Sequence, residues 1–167
     1  PWVGAVLSNI DQPILLVADE DRVEEAITRL SRVGFDNVKG YLNGGFSAWR
    51  NEGKEVALID AISANDFENN YQGNDVNIFD VRKLTEYQSE HVLDAINIPL
   101  NNINNFISDF KIDGENYIHC AAGYRSMIAN SILKAHGIHN LVDIRGGFSS
   151  IKKTAITTSE YICPSTL

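Results

Sequence analysis

Two stretches of this 167-residue chain repeat one unit. ILLVADEDRVEEAITRLSRVGFDN, residues 14–37, and YIHCAAGYRSMIANSILKAHGIHN, residues 117–140, both read as an apolar strand, a short loop, a helix and then Gly-apolar-x-Asn. Arg22 corresponds to Arg125, Gly34 to Gly137 and Asn37 to Asn140, at a constant offset of 103 positions. A short strand follows in each copy. Then come Gly44-Gly45-Phe46-Ser47 and Gly146-Gly147-Phe148-Ser149, where the offset slips to 102 through a one-residue change in the connection. Chance similarity between βα units is common. Agreement in order of helix length, glycines and a tetrapeptide marks a true repeat. A duplicated βα unit confines the chain to the α/β class.

The copies differ upstream. Before the second unit, Val76–Phe79 reads as a strand ending at Asp80-Val81-Arg82, and Ala95–Ile98 as another ending at Pro99. Asn102–Phe110 is predicted to be a helix, because Ile103, Phe106, Ile107 and Phe110 fall at i, i+3, i+4 and i+7. Only thirteen residues precede the first unit, so that copy lacks its front half. The polar Asn51-Glu52-Gly53-Lys54 is the expected junction. The predicted architecture is a mainly parallel sheet flanked by helices, with one complete domain and a partial copy. Its divisions are a partial domain over 1–56, a complete one over 57–157 and a tail over 158–167. A chain opening at Pro1 without Met reads as a fragment of something longer.

A net charge of -8 argues against a nucleic-acid or anionic-membrane surface. No apolar run approaches the roughly 20 residues that span a bilayer, and the start lacks a secretory pattern. Cys120 and Cys163 are too few for a disulfide framework, which points to a reducing, cytoplasmic setting. The uncovered edges of a half domain invite homo-oligomerisation.

Ligands of parallel α/β sheets sit where strand ends enter helices, here the loops 17–22 and 120–126. The second is Cys120-Ala121-Ala122-Gly123-Tyr124-Arg125-Ser126. A cysteine at this position faces the unpaired N–H groups of the following helix and its positive dipole end. Arg125 adds a permanent charge, and both favour thiolate, the nucleophilic form. Small Ala121, Ala122 and Gly123 allow the amides to curl into an anion-binding nest. A lone cysteine at a strand end is usually a small buried hydrophobe. The Gly and Arg at these spacings argue instead for Cys120 as nucleophile, with Ala121, Ala122, Gly123, Tyr124, Arg125 and Ser126 binding substrate. Tyr124 and Met127 are expected to shape the entrance. Asp80 and Arg82, near the same sheet end, are expected to form a supporting charge and hydrogen-bond network. His119, next to the nucleophile on the opposite strand face, reads as a satisfied core histidine, and His91 as a turn residue bonding backbone. His136 and His139 do not form a metal pair. Over Val23–Val33, Ile27, Leu30 and Val33 read as core packing. Cys163 reads as an exposed tail cysteine.

Cys120-x-x-Gly123-x-Arg125-Ser126 resembles the active-site loop of rhodanese sulfurtransferases. Phe79-Asp80-Val81-Arg82, Glu86-Tyr87, His91-Val92 and Ala95–Pro99 resemble that family's front-half motifs, and Gly146-Gly147-Phe148 its closing motif. The resemblance runs from about 57 to 155. It implies sulfur transfer from thiosulfate or a thiol persulfide to a thiol or cyanide acceptor, through a persulfide on Cys120, with no metal or organic cofactor. Glu90 and Asp94 depart from the family by standing where glycines are usual, and Ile151 lies near the place of a closing tryptophan. The first copy reads Val17-Ala18-Asp19-Glu20-Asp21-Arg22, with no nucleophile and three carboxylates in the nest, and so implies an inactive domain. Pro1–Trp49 is similar to proteins in which a metallo-β-lactamase-type hydrolase precedes two rhodanese domains, which implies such a module upstream. Two alternatives stay open. One is a non-catalytic docking or regulatory module. The other is a cysteine phosphatase or arsenate reductase, although four residues rather than five separate Cys120 from Arg125.

Overall fold

The computed structural model describes residues 2–7, 9–71, 76–110 and 113–163. The chain divides into two compact units, Pro1–Leu58 and Ile59–Leu167.

The first unit carries α1 (Val3–Val6), β1 (Ile14–Leu16), a 3₁₀ turn at Glu20–Arg22, α2 (Val23–Ser31), β2 (Val38–Tyr41) and α3 (Gly45–Asn51). Its two strands pair in parallel. Val23 of α2 is buried, but Ile27 is partly exposed and Val33 is 55% exposed, so the expected core face of this helix is only half covered. Periodicity finds an amphipathic helix correctly. It does not say whether anything lies against the apolar side.

The second unit is a five-stranded, all-parallel sheet in the order β3-β7-β6-β4-β5. Its elements are β3 (Asp60–Ile62), α4 (Ala64–Tyr71), β4 (Asn77–Asp80), α5 (Leu84–Ser89), β5 (Ile96–Asn97), β6 (Asn116–His119), α6 (Tyr124–Ala135), β7 (Leu141–Ile144) and α7 (Gly147–Ile151). The central β6 and β7 are buried along their length, as parallel strands covered on both faces must be. One core gathers Ala64 and Phe67 of α4 with Ile78, Tyr117, Ile144, Phe148 and Ile151. Ile151 is wholly buried in this core.

The predicted helix at Asn102–Phe110 is absent. Two 3₁₀ turns, Leu100–Asn105 and Ile107–Asp109, take its place. Ile103 and Phe110 are buried as the spacing requires, but four asparagines in Leu100–Asn105 disfavour a continuous α-helix. The expected tail also differs: its first residues lie along the 89–93 turn. Thr158 bridges Val92, the Ser159 N–H donates to His91 O and the Ile162 N–H donates to Ser89 O.

Asp94 is the single non-glycine residue with positive φ among those described, at +66°. An L side chain there is strained, at one of the two positions where the resemblance implies a glycine. Asp94→Gly should stabilise the protein by about 0.5–1 kcal/mol, the relief of strain less the added chain entropy of glycine. A higher urea midpoint at unchanged slope is the expected result.

Candidate active site

β6 delivers Cys120 to the carboxyl edge of the sheet, and Gly123, in the left-handed region at φ 103°, turns the chain into the twelve-residue α6. The Gly123 N–H donates to Cys120 Sγ at 3.1 Å. One loop amide, that of Gly123, thus faces the sulfur. Cys120 is only 1% exposed, whereas Tyr124 and Met127 at the start of α6 are open to solvent. Ser126 is buried and its hydroxyl donates to Gly123 O at 3.1 Å, tying the turn from beneath.

Two carbonyls of the loop are held by α7. Phe148 N–H donates to Cys120 O at 2.7 Å and Ser149 N–H to Ala121 O at 3.1 Å. This approach requires glycine at 147, because a Cβ there would stand 2.3 Å from Cys120 O. The Gly-Gly-Phe-Ser tetrapeptide was legible as a repeat marker; its role as the clamp on the active loop was not.

Arg125 is not an unopposed cation. Its guanidinium donates to both carboxylate oxygens of Glu86, at 2.6 and 2.8 Å. Glu86 sits on α5 and its Oε2 also accepts the Lys83 N–H at 3.1 Å. The bonds from Arg125 hold the Glu86 carboxyl below its ordinary value of 4.5, and partial burial opposes them. The charge that Arg125 was expected to lend the loop is thus balanced by a carboxylate 39 positions away in the sequence. A glutamate three residues after a helix-starting Lys83 was the available signal, read from sequence only as part of a motif.

Glu86→Gln should cost about 1 kcal/mol at neutral pH, a charge-assisted pair discounted for its partial exposure. Because the folded carboxyl titrates below 4.5, this stabilisation is present above that pH and is lost as pH falls through the depressed value. Denaturant midpoints of the two proteins should therefore converge in acid.

Asp80 and Arg82 form a buried bidentate pair, with Arg82 Nη2 to Asp80 Oδ2 at 2.6 Å and Nε to both oxygens. Arg82 also donates to Glu90 O at 2.8 Å and lies 4.1 Å over the Phe148 ring. Between them, the Val81 N–H donates to His119 O at 2.9 Å. Their link to the loop thus runs through Phe148 and the end of β6. Glu90 turns its own carboxylate to Lys152 at 2.6 Å.

His119 is fully buried, but it is not the satisfied histidine expected. Nδ1 lies 3.4 Å from Cys120 O, and Nε2 has no partner among the described residues. Burial pushes the imidazole below its ordinary 6.5, so it is neutral at physiological pH. His91 bonds backbone as expected: Nδ1 lies 2.8 Å from Tyr87 O, and its ring stacks on Tyr87 at 3.9 Å. His136 and His139 are exposed beyond α6, and Cys163 is exposed.

Comparison with known proteins places the second unit in a family. The rhodanese-like domain family matches residues 63–154, from α4 through α7. YrkF of Bacillus subtilis, provisionally named a sulfur carrier protein, is 27% identical over 95 residues, covering 56% of this chain and 51% of its own. The chain spans 19% and 56% of the length of two further curated relatives. A rhodanese-related protein from Thermoplasma volcanium superposes with a TM-score of 0.54 at 27% identity, over 60% of this chain and 97% of that one. A thiosulfate sulfurtransferase from Pseudomonas aeruginosa shares the fold at 22% identity and TM-score 0.54, over 96% of this chain and 35% of that one. With four of the five strands of its parallel sheet, its Cys120 loop and its Gly-Gly-Phe clamp inside the matched segment, the chain belongs to the rhodanese-like family.

Proposed function

We propose that the second unit is a rhodanese-type sulfurtransferase with Cys120 as its nucleophile. The Cys120 thiolate attacks the outer sulfur of thiosulfate or a thiol persulfide. The donor S–S bond breaks, its electron pair leaves with sulfite or the thiolate, and a new S–S bond forms at Sγ. A thiol or cyanide then takes the terminal sulfur, and Sγ departs with its electrons as thiolate again. Ala121, Ala122, Gly123, Tyr124, Arg125 and Ser126 form the substrate cradle, with Asp80 and Arg82 in support. The observation that carries this reading is the Gly123 N–H on Cys120 Sγ at the start of α6, a donor placed where anionic sulfur develops. Mass spectrometry after incubation with thiosulfate or glutathione persulfide tests it. One added sulfur on the Cys120 peptide, removable by cyanide, is expected. A folded protein that takes up no sulfur from either donor overturns it.

The burial of Cys120 favours a second reading, a non-catalytic regulatory or docking module. Alkylation separates the two. A thiol that reacts with small reagents and takes up sulfur is a working nucleophile sheltered from bulk solvent, whereas an inert one is a core residue.

We further propose that the first unit is the back half of a degenerate, inactive rhodanese-like domain. Two features support this. β1 and β2 have one strand neighbour each, whereas β6 and β7 have two. A Cβ on Gly45 would stand 2.6 Å from Ala18 O, matching the clamp that Gly147 makes on the Cys120 loop. In this reading the parent chain also carries a metallo-β-lactamase-type hydrolase module, works in the cytoplasm, and self-associates if the half domain stays uncovered. No helix among the described residues is long and apolar enough to cross a membrane.

A further inference from the structure

The cradle around Cys120 holds a cation whose charge is already taken. Arg125 donates to both oxygens of Glu86, and its side chain is 14% exposed against 33% for the glutamate. Solvent therefore meets more of the carboxylate than of the guanidinium. The other loop residues Ala121, Ala122, Gly123, Tyr124 and Ser126 carry no charge. Arg82 is buried against Asp80. Arg145, just past the end of β7, lies within electrostatic reach of two carboxyls, those of Asp66 and Asp143. What stands open at the start of α6 is apolar instead: Tyr124 is 68% exposed and Met127 44%.

A small dianion and an organic donor meet this surface differently. Thiosulfate concentrates two charges on a compact group, and its approach is favoured by an uncompensated cation. Here the only arginine of the loop is fixed to a carboxylate in a bidentate pair, and the exposed part of Glu86 repels incoming negative charge. An organic leaving group gains something from the same surface. Tyr124 and Met127 stand three positions apart on one face of α6, an aromatic ring beside a polarisable thioether that apolar atoms can cover.

We propose that Glu86 is a specificity-determining residue, which by neutralising Arg125 turns the Cys120 cradle away from the thiosulfate dianion and towards sulfane donors of lower charge with an apolar organic leaving group. The inference deepens the sulfurtransferase reading and rests on it. Benzenethiosulfonate is the probe for that class. The Cys120 thiolate takes its terminal sulfur, the S–S bond breaks, and the electron pair leaves on benzenesulfinate while the persulfide keeps the other negative charge. The experiment measures rate constants for sulfur uptake from thiosulfate and from benzenethiosulfonate in wild type and Glu86→Gln. Comparing the ratio of the two constants between proteins cancels the intrinsic reactivity of the donors. Glu86→Gln leaves Arg125 uncompensated and should raise the thiosulfate-to-benzenethiosulfonate ratio about tenfold at low ionic strength, the lower end of what a focused charge supplies. About 0.5 M salt should remove most of that gain, since it screens charges open to solvent. A loop merely loosened by the lost ion pair slows both donors alike. An unchanged ratio, or a rise that salt does not diminish, overturns the proposal.

If Glu86→Gln does not fold, Ala122→Lys decides, because it adds a cation at an exposed loop position and leaves the Arg125–Glu86 pair in place. The same salt-sensitive rise in the ratio is expected, and an unmoved ratio overturns the proposal. Wild-type protein that takes up no sulfur from either donor overturns the sulfurtransferase reading, and this inference with it; uptake from both donors at a ratio the variant does not shift overturns this inference alone.

Discussion

Cys120→Ser abolishes sulfane-sulfur uptake while leaving the fold intact. The substitution keeps the side-chain shape and the Gly123 N–H donor, since a hydroxyl accepts as a thiol does. It removes the one atom of the loop that can form a persulfide. Transfer to cyanide should fall by at least about 10³-fold, within the range seen when a covalent nucleophile is removed. Thermal stability should change by less than about 1 kcal/mol, since the new hydroxyl has a donor waiting in the buried site. The measurement pairs single-turnover sulfur release with a urea melt. A variant that still transfers sulfur near the wild-type rate assigns the chemistry elsewhere, and the exposed Cys163 is then the first suspect.

Gly147→Ala has the second largest expected effect, and it acts without touching sulfur. Its Cβ would stand 2.3 Å from Cys120 O and 2.9 Å from the Ala121 carbonyl carbon, both backbone atoms that cannot rotate aside. The backbone is also at φ 55°, where a side chain adds strain. The turn must shift, breaking the Phe148 N–H bond to Cys120 O. Together these should cost about 2–4 kcal/mol, in the range of buried overpacking with a lost hydrogen bond. Sulfur uptake should fall roughly 100-fold, as expected when a reacting group is displaced by about an ångström. Two controls sharpen the test. Gly137→Ala, at φ 84° with nothing within 4 Å of the added carbon, should cost only about 1 kcal/mol and leave uptake unchanged. Gly45→Ala meets Ala18 O at 2.6 Å, so it should destabilise the first unit without slowing the chemistry of the second.

The parts of the site that were legible from sequence are those whose partners are neighbours along the chain. Cys120, Gly123 and Ser126 lie within seven residues, and the strand-to-helix turn that unites them follows from a local pattern. The Asp80–Arg82 pair is likewise two positions apart. Glu86 on Arg125 and Gly147 against Cys120 are not of this kind. Each reaches the loop from another element, and nothing in the loop's own residues names its partner. The misread Asn102–Phe110 segment shows the opposite failure. Its apolar spacing was right, but i, i+3, i+4 contacts can be met by successive 3₁₀ turns when asparagines weaken the helix. The half-covered α2 shows a third, because an apolar stripe records a demand for burial and not its fulfilment.

By itself the sequence determined the class of fold and offered a candidate nucleophile on a strand-to-helix turn, because strand, turn and helix preferences act over a few residues. The closure of the site was decided only in three dimensions. The parallel crossover order β3-β7-β6-β4-β5 sets β7 and β4 on either side of β6. That arrangement brings α7 onto the loop carbonyls and a glutamate onto Arg125. Charge balance and backbone clearance depend on distances through space, and a chain acquires those only when its strands take their places.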